Sequence, residues 1–379
     1  MMTHYDLIVV GAGPAGSECA RRAAELGLAT LVLERLAFPR AKVCAGGLTM
    51  PALRLLGPEI GPLIHDRAST VEIRLGDRVR FVWRSPRPVV ATVTRAEMDS
   101  AMAERAAAAG ARVELSAPVR SVEETSRGVS VEAGGRRWTG EYVVGADGAR
   151  SLVRSALGLP APRMSGALYV RAFPPEPREL EPFGGRVLLD LSRGRRGYVW
   201  IFPKRNHLNI GIYSQRPLRG WYREELLDYV KRLGVDRWDV GRAVASAVPR
   251  TAPPSALGSG RTLLAGDAAG LANPVTGEGI AHAVASGRVA AEAVREGGGP
   301  AAVRAIYRRR VASEVLPGAL AGSRFGKAFY LLGPRISERI LAWPPAVAAV
   351  SRVGRWDRVA PERGVLTIER GGPEGLSMS

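Results

Sequence analysis

Cysteine is scarce in this sequence: among 379 residues, only Cys19 and Cys44 occur. Two thiols cannot build a disulfide framework, a cysteine-rich zinc site or an iron–sulfur cluster, so none of these is expected. The four histidines share no spacing typical of metal ligands, so no metal site is predicted either. Cysteine usage this low is typical of a reducing compartment.

Long apolar runs are also missing. A span across a bilayer needs roughly 20 apolar residues, and the longest candidate, residues 340–350, is too short and contains Pro344 and Pro345. The N-terminus enters a strand without the basic and apolar regions of a signal peptide. We therefore expect a cytoplasmic protein, with peripheral attachment to the inner face of the membrane left open.

Lysine is rare, although the chain is strongly basic. Lys42, Lys204, Lys231 and Lys327 are the only lysines among 54 basic residues, against 36 acidic residues and a net charge of +18. Arginine-favouring codon usage explains this most simply, and attraction to an anionic membrane surface or a phosphorylated substrate is the alternative. The arginines are dispersed and no nucleic-acid module is visible, so a nucleic-acid partner is not expected.

What the sequence does contain is a nucleotide-binding fingerprint within residues 5–34. A strand, a glycine turn, a helix and a second strand follow one another, and the second strand ends at Glu34. Gly11 permits the turn, Gly13 lets the backbone approach a pyrophosphate, and Gly16 lets the helix pack closely. The helix N-terminus favours phosphate, and Glu34 is placed to accept ribose hydroxyls. These residues alone do not distinguish FAD from NAD.

Two further signatures follow apolar strands later in the chain. Asp147 and Gly148 end the strand that begins near Tyr142. Gly266 and Asp267 end another, and the segment Gly277 to Ile280 then opens a helix that runs to Glu296. This second helix N-terminus again suits electron-rich groups.

A cysteine loop precedes the first of these two signatures. Cys44 is followed by Ala45, Gly46 and Gly47, which makes a flexible loop able to lie against a flat ring. An ordinary loop with a buried cysteine is the alternative interpretation. Lys42 lies nearby, and a neighbouring cation favours thiolate chemistry.

An aromatic strand follows in the β-rich middle of the chain. Tyr198, Trp200 and Phe202 alternate with aliphatic residues, so their rings project from one face of a strand. Lys204 comes just after it. This face is either part of a core or the wall of a site for a long apolar ligand with an anionic head.

Together, the three signatures resemble those of flavoproteins of the para-hydroxybenzoate hydroxylase type, which implies FAD. Within that group, the loop Lys42 to Leu48 resembles the Lys-x-Cys-Gly-Gly loop of the geranylgeranyl reductase family. Residues 198–204 match that family's Tyr-x-Trp-x-Phe-Pro pattern. Two positions depart from the family, namely Ala45 in place of a glycine and Arg195 in place of a proline.

The resemblance implies an α/β fold with a discontinuous Rossmann-like FAD-binding domain, an inserted β-sheet substrate domain and a helical C-terminal region. The FAD domain is predicted at 1–68, 92–160 and 255–299, and the substrate domain at 69–91 and 161–254. The helical region is predicted at 300–370, with a disordered tail at 371–379.

The implied activity is reduction of carbon–carbon double bonds in isoprenoid chains by hydride from reduced FAD plus a proton. NADPH or a reduced ferredoxin-type carrier would donate electrons to a protein acting on a prenyl lipid or prenyl diphosphate. A flavin monooxygenase or halogenase-like enzyme on the same fold is the alternative. Geranylgeranyl diphosphate, an archaeal-type ether lipid, a menaquinone side chain and a chlorophyll precursor all stay open as substrates.

Site residues follow from the signatures and the resemblance. Cys44 is the candidate catalytic residue, and Tyr198, Trp200, Phe202 and Lys204 are the candidate substrate residues. The residues expected to bind FAD are Gly11, Gly13, Pro14, Ala15, Gly16, Glu34, Arg35, Cys44, Ala45, Gly47, Arg95, Val119, Asp147, Gly148, Gly266, Asp267, Gly277, Gly279 and Ile280.

Overall fold

A computed structural model describes residues 4–75, 79–125, 127–193, 196–250, 257–320 and 365–370. Its α-helices are α1 (Pro14–Glu25), α2 (Met50–Leu56), α3 (Arg95–Ala108), α4 (Leu152–Ala156), α5 (Trp221–Arg232), α6 (Ile280–Glu296), α7 (Pro300–Arg310) and α8 (Leu316–Ala319). Its strands are β1 (His4–Val10), β2 (Thr30–Leu33), β3 (Gly47–Thr49), β4 (Asp66–Ala68), β5 (Thr70–Leu75), β6 (Val79–Arg84), β7 (Val90–Thr92), β8 (Arg112–Glu114), β9 (Val119–Thr125), β10 (Gly128–Ala133), β11 (Arg136–Gly145), β12 (Met164–Phe173), β13 (Arg186–Asp190), β14 (Gly197–Pro203), β15 (Leu208–Ser214), β16 (Asp239–Val240), β17 (Val244–Pro249), β18 (Gly258–Ser259), β19 (Thr262–Leu264) and β20 (Val365–Arg370).

The chain divides into two compact units. The first comprises Met1–Lys42, Arg95–Arg163 and Val248–Leu320, and the second comprises Val43–Thr94, Met164–Ala247 and a C-terminal part containing β20. The sequence had assigned residues 43–68 to the nucleotide domain. The structure places them in the second unit, because β3 and β4 both pair with β7 in a three-stranded sheet.

The first unit is built on a parallel sheet in the order β19-β11-β1-β2-β8. Val10 is in register with Leu33 and with Gly145, and Gly145 is in register with Leu264. The carboxyl ends of four strands therefore lie side by side, and the glycine turn, Glu34 and the two later signatures follow them. In open α/β sheets, ligands bind at this edge. The Rossmann-like fold predicted from the sequence is confirmed.

Helices α1 and α6 pack closely within this unit. A Cβ added at Gly287 would lie 2.1 Å from the carbonyl oxygen of Ala15, so glycine is what allows the two backbones to approach. A buried carboxylate joins the same helices, because Glu18 pairs with Arg21 at 2.8 Å and with Arg288 at 2.7 Å.

The second unit is built on a sheet of nine strands, in which β12, β15, β14, β13, β5, β6 and β20 follow one another. Alternate residues of its strands pack under α5 in one apolar core, which includes Val199, Ile201, Ile210 and Leu226. Strands β5 and β6 are antiparallel neighbours in this sheet.

The C-terminal part departs from the helical region predicted at 300–370. Helices α7 and α8 lie at its start, but β20 is a strand that pairs antiparallel with β6. The β-branched and apolar residues of Val365 to Ile368 favour a strand. Residues 321–364 of the predicted helical region, the predicted tail at 371–379 and Arg195 lie outside the described residues. Within those residues, no helix has the length and apolar character to cross a bilayer.

Gly287→Ala tests the close approach of α1 and α6. We expect the free energy of unfolding to fall by about 1–3 kcal/mol, because the methyl group must push the helices apart. Chemical denaturation of the FAD-loaded protein measures this change. Gly220→Ala is the matched control, since a Cβ there meets nothing within 4 Å. Equal unfolding midpoints for the two variants would contradict the close approach.

Candidate active site

The glycine turn after β1 has different surroundings at each glycine. Gly11 has a φ of 96°, and a Cβ there would lie 2.6 Å from the carbonyl oxygen of Ala146. A Cβ at Gly16 would lie 1.8 Å from the carbonyl oxygen of Gly11. At Gly13, the nearest atom would be Nη2 of Arg40, at 3.8 Å. Gly11 and Gly16 thus serve close packing, whereas Gly13 leaves open space beside the turn.

The N-terminus of α1 opens onto that space. Pro14 is the first residue of the helix, and no side chain caps the helix. The first-turn amides of Ala15 and Gly16 have no carbonyl within the helix to donate to, and the helix dipole adds positive potential there. Open space, free amides and a positive helix end fit the pyrophosphate of a dinucleotide.

Glu34 is buried at the end of β2 and faces the turn. Its Oε2 accepts a hydrogen bond from the Ala12 amide at 2.8 Å, and its Oε1 accepts one from the Leu36 amide at 3.1 Å. Only 4% of the residue is exposed. The carboxylate is therefore held rigidly where the fingerprint expects a ribose ligand.

Arg40 is a residue of this site that the sequence did not indicate. Its Nη2 lies 3.5 Å from Glu34, and its Nη1 lies 3.2 Å from Asp99. Arg95 binds the same Asp99 carboxylate with Nε at 2.7 Å and Nη2 at 2.9 Å. Arg95 was among the residues expected to bind FAD, and the structure shows it bound to Asp99, which Arg40 also contacts. In so arginine-rich a chain, no local signal distinguishes Arg40.

Asp147 lies two residues after the end of β11, with one carboxylate oxygen hydrogen-bonded and one without a partner among the described residues. Oδ2 accepts hydrogen bonds from the amides of Leu152 and Val153, at 2.7 and 3.1 Å. Oδ1 is buried and, among the described residues, has no partner. Burial raises the pKa of this carboxyl group. A buried acceptor without a partner is what a bound polar ligand would satisfy, and Gly148 beside it has open space at its α-carbon.

The third signature follows β19. The Gly266 amide donates to Ser286 Oγ of α6 at 3.0 Å, a contact with no sequence signal. The predicted amide row at 277–280 is partly used within its own loop, because the Gly277 amide donates to the carbonyl oxygen of Asn273. This leaves the Gly279 and Ile280 amides at the start of α6 as donors. The half-exposed Asp267 lies beside them, and its Oδ1 is 3.7 Å from the Cβ position of Gly279.

The other predicted FAD residues divide between the units. Arg35 is exposed after β2, and Val119 is the first residue of β9, both in the first unit. Cys44, Ala45 and Gly47 belong to the second unit. No group of metal-ligating side chains occurs within the described ranges.

In the second unit, the Cys44 loop (residues 44–47) is held by Lys204. The Lys204 amino group donates to the carbonyl oxygens of Gly46 at 3.2 Å and Val93 at 2.9 Å. Burial lowers the pKa of Lys204 to about 7, and nearby Cys44 opposes that shift. The amino group beside Cys44 is thus that of Lys204, whereas the sequence had suggested Lys42. With two backbone partners, Lys204 is occupied by the loop and not directed at a substrate phosphate.

The predicted aromatic face (Tyr198, Trp200 and Phe202) lies on the opposite side of β14 from the core under α5. Tyr198 is in register with Tyr213, and their rings lie 5.5 Å apart. Trp200 is in register with Gly211, where a Cβ would come within 2.1 Å of the indole. Tyr198 and Phe202 are half-buried, and Trp200 is buried.

Comparison with known proteins places this geometry in a family. A family profile described as an FAD binding domain matches residues 4–178. A menaquinone reductase of Mycolicibacterium smegmatis is 34% identical, over 79% of this chain and 78% of its own length. A digeranylgeranylglycerophospholipid reductase of Methanopyrus kandleri is 31% identical, over 77% of this chain and 80% of its own length. The chain belongs to the geranylgeranyl reductase family.

As a member of this family, the protein is an FAD-dependent oxidoreductase. A geranylgeranyl bacteriochlorophyll reductase-like protein of Thermoplasma acidophilum shares its fold, with a TM-score of 0.76 and 24% identity over 94% of this chain and 99% of the other. The glycine turn, Glu34 and the unpartnered oxygen of Asp147 fit the cofactor that the family profile implies.

Asp267→Ala tests the third signature. Loss of hydrogen bonds to a charged group costs about 1.5–3 kcal/mol, so we expect FAD affinity to fall roughly 10- to 100-fold. The ratio of flavin to protein absorbance after purification measures occupancy. Asp228→Ala, which removes an exposed carboxylate paired with Arg232, should keep full occupancy. Full flavin occupancy in Asp267→Ala would contradict the assignment.

Lys204→Met tests the burial of the amine. Between pH 7 and 10.5, the unfolded chain keeps a proton that folded Lys204 has released. The wild type should therefore gain stability relative to Lys204→Met as the pH rises through this range, by about 1.4 kcal/mol per pH unit at most. Urea denaturation of both proteins at pH 7 and 9 measures the difference. A difference that does not change with pH would show that Lys204 keeps its usual pKa.

Proposed function

We propose that this protein saturates carbon–carbon double bonds of isoprenoid chains. When bound, reduced FAD supplies the hydride for the reaction, and a proton completes the second carbon of the former double bond. NADPH or a reduced ferredoxin-type carrier would regenerate the reduced cofactor. The second unit's aromatic face would hold the chain.

The observation that carries this proposal is the separation of the aromatic face from the core. Val199 and Ile201, which alternate with the three rings, complete the core under α5. None of the three rings belongs to that core. Phe202 packs against a second apolar cluster that contains Val71 and Val187, so packing accounts for this ring. Tyr198 and Trp200 need a different reason to be on this side of the sheet, and an apolar chain is a ligand that they suit.

The residues of the second unit would act by position and by exclusion of water. An isolated alkene is a poor hydride acceptor, so much of the rate must come from holding it in one orientation. Trp200 is suited to this because two residues hold its indole. The indole packs closely against Gly211, and its Nε1 donates a hydrogen bond to Asn209. Cys44 is the candidate for the proton-supplying residue.

The relatives help to define the substrate class. The two reported above are named for menaquinone and for digeranylgeranylglycerophospholipid, and both of these molecules carry a prenyl chain. Their head groups have nothing in common, so the chain is the part that we propose is recognised. Because such lipids reside in membranes, the net charge of +18 also suits attachment to an anionic membrane surface.

Anaerobic single-turnover reduction tests the function directly. The dithionite-reduced protein is mixed with menaquinone, geranylgeranyl diphosphate and a geranylgeranyl ether lipid, and products are read by mass. A gain of two hydrogens per double bond is the expected result. A product that forms only when oxygen is admitted, and gains an oxygen or halogen atom, would instead indicate a monooxygenase or halogenase.

Trp200→Ala tests the aromatic face. FAD content should be kept, because Trp200 lies in the second unit and the nucleotide cradle in the first. Turnover of the prenyl substrate should fall roughly a hundredfold, since a small loss of positioning has that effect. Trp221→Ala, which removes an indole from α5, is the matched control. Unchanged turnover in Trp200→Ala would remove this face from the substrate site.

A further inference from the structure

The Cys44 loop is attached to the hairpin that carries the aromatic face. At one end of the loop, a Cβ added to Gly47 would lie 2.3 Å from the ring of Phe202. The loop backbone also bonds to the residue that follows β7, because the Val93 amide donates to the Gly46 carbonyl oxygen at 2.8 Å. The loop therefore rests directly on the strand that we assign to the substrate.

Asn209 joins the other end of the loop to the indole of Trp200. Its Oδ1 accepts the Trp200 Nε1 hydrogen at 2.7 Å, and its Nδ2 donates to the Cys44 carbonyl oxygen at 3.3 Å. Asn209 is only 5% exposed. An amide offers an acceptor and a donor on one rigid group, so one side chain serves both partners.

The bond from Trp200 to Asn209 is buried and the bond from Asn209 to Cys44 is partly buried, so both are costly to lose. An indole N–H or a carbonyl oxygen that is withdrawn from water and has no partner destabilises the folded protein. A water molecule could replace the lost partner only if the site had room for it. The side chain of Asn209 faces away from the core under α5, since its neighbours Leu208 and Ile210 fill that core. Packing in the core therefore does not explain the choice of an amide at this position.

We propose that Asn209 is a positioning residue that fixes the Cys44 loop to the indole of Trp200. The location of Cys44 relative to the aromatic face is then set by one amide, with Lys204 holding the neighbouring carbonyl of Gly46. A change at Trp200 is transmitted to Cys44 through Asn209. The catalytic meaning of this link rests on the proposed function, but the link itself can be tested without substrate.

The test reads the reactivity of the Cys44 thiol towards iodoacetamide in the FAD-loaded protein. Cys19 does not interfere, because it is fully buried and its thiol pKa is raised by that burial. Asn209→Leu removes both hydrogen bonds and should increase the alkylation rate about fivefold or more, as expected for loss of one net hydrogen bond. Asn206→Asp, an exposed change in the same hairpin, is the control and should leave the rate unchanged.

A double-mutant cycle separates this link from general loosening. Trp200→Phe keeps a ring but removes the Nε1 donor, so it should raise the alkylation rate in the wild-type background. In the Asn209→Leu background, the same change should have no further effect, because the connecting amide is gone. Equal effects of Trp200→Phe in both backgrounds would overturn the proposal, as would an Asn209→Leu rate equal to that of Asn206→Asp.

Turnover distinguishes failure of this proposal from failure of the proposed function. If the cycle shows coupling but the wild type reduces no prenyl lipid, the positioning role of Asn209 is supported and the proposed reaction is wrong. If prenyl lipids are reduced but the cycle shows no coupling, the reaction stands and Asn209 has no positioning role. Flavin absorbance and the thermal midpoint of each variant establish that the protein compared is folded and loaded.

Discussion

The parallel pairing of β1 with β2 and β11, and of β11 with β19, is the constraint on which the nucleotide site depends. Residues 10, 33, 145 and 264 stand in register, so segments far apart in sequence end at one sheet edge. A slip of one residue in any pair would exchange the two faces of the strand and shift the segment that follows it along the sheet edge. The register of these strands therefore fixes the glycine turn, Glu34 and Asp147 relative to one another.

This explains why the nucleotide site could be predicted so largely from sequence. Turn glycines, a strand-terminal acid and a helix start are local features with fixed spacing, and parallel strands bring them together without further information. Arg40 could not be predicted in this way. Arg40 contacts Glu34 and also Asp99, which lies in α3, far along the chain. The residues around Arg40 in the sequence do not distinguish it from the other arginines.

In the second unit too, features set by adjacent residues could be predicted, and features set by residues far along the chain could not. The alternation of Tyr198, Trp200 and Phe202 was enough to place their rings on one face. It could not say which face carried the core, because that depends on where α5 packs. The assignment of residues 43–68 to the nucleotide domain was wrong for a related reason. The short strands β3 and β4 form a sheet only because both pair with β7, which comes later in the chain. Likewise, the strand β20 needs β6 as its partner.

Lys204 shows how the loop and the aromatic face depend on one environment. A lysine whose pKa falls to about 7 is surrounded by groups that solvate charge poorly. Its neutral amine still has two N–H donors, which is the number that the Gly46 and Val93 carbonyl oxygens require. The loop can thus be held without a fixed charge in a poorly solvated place. The hydride transfer that we propose would need the same exclusion of water, and the lowered pKa of Lys204 supports a poorly hydrated environment beside the loop.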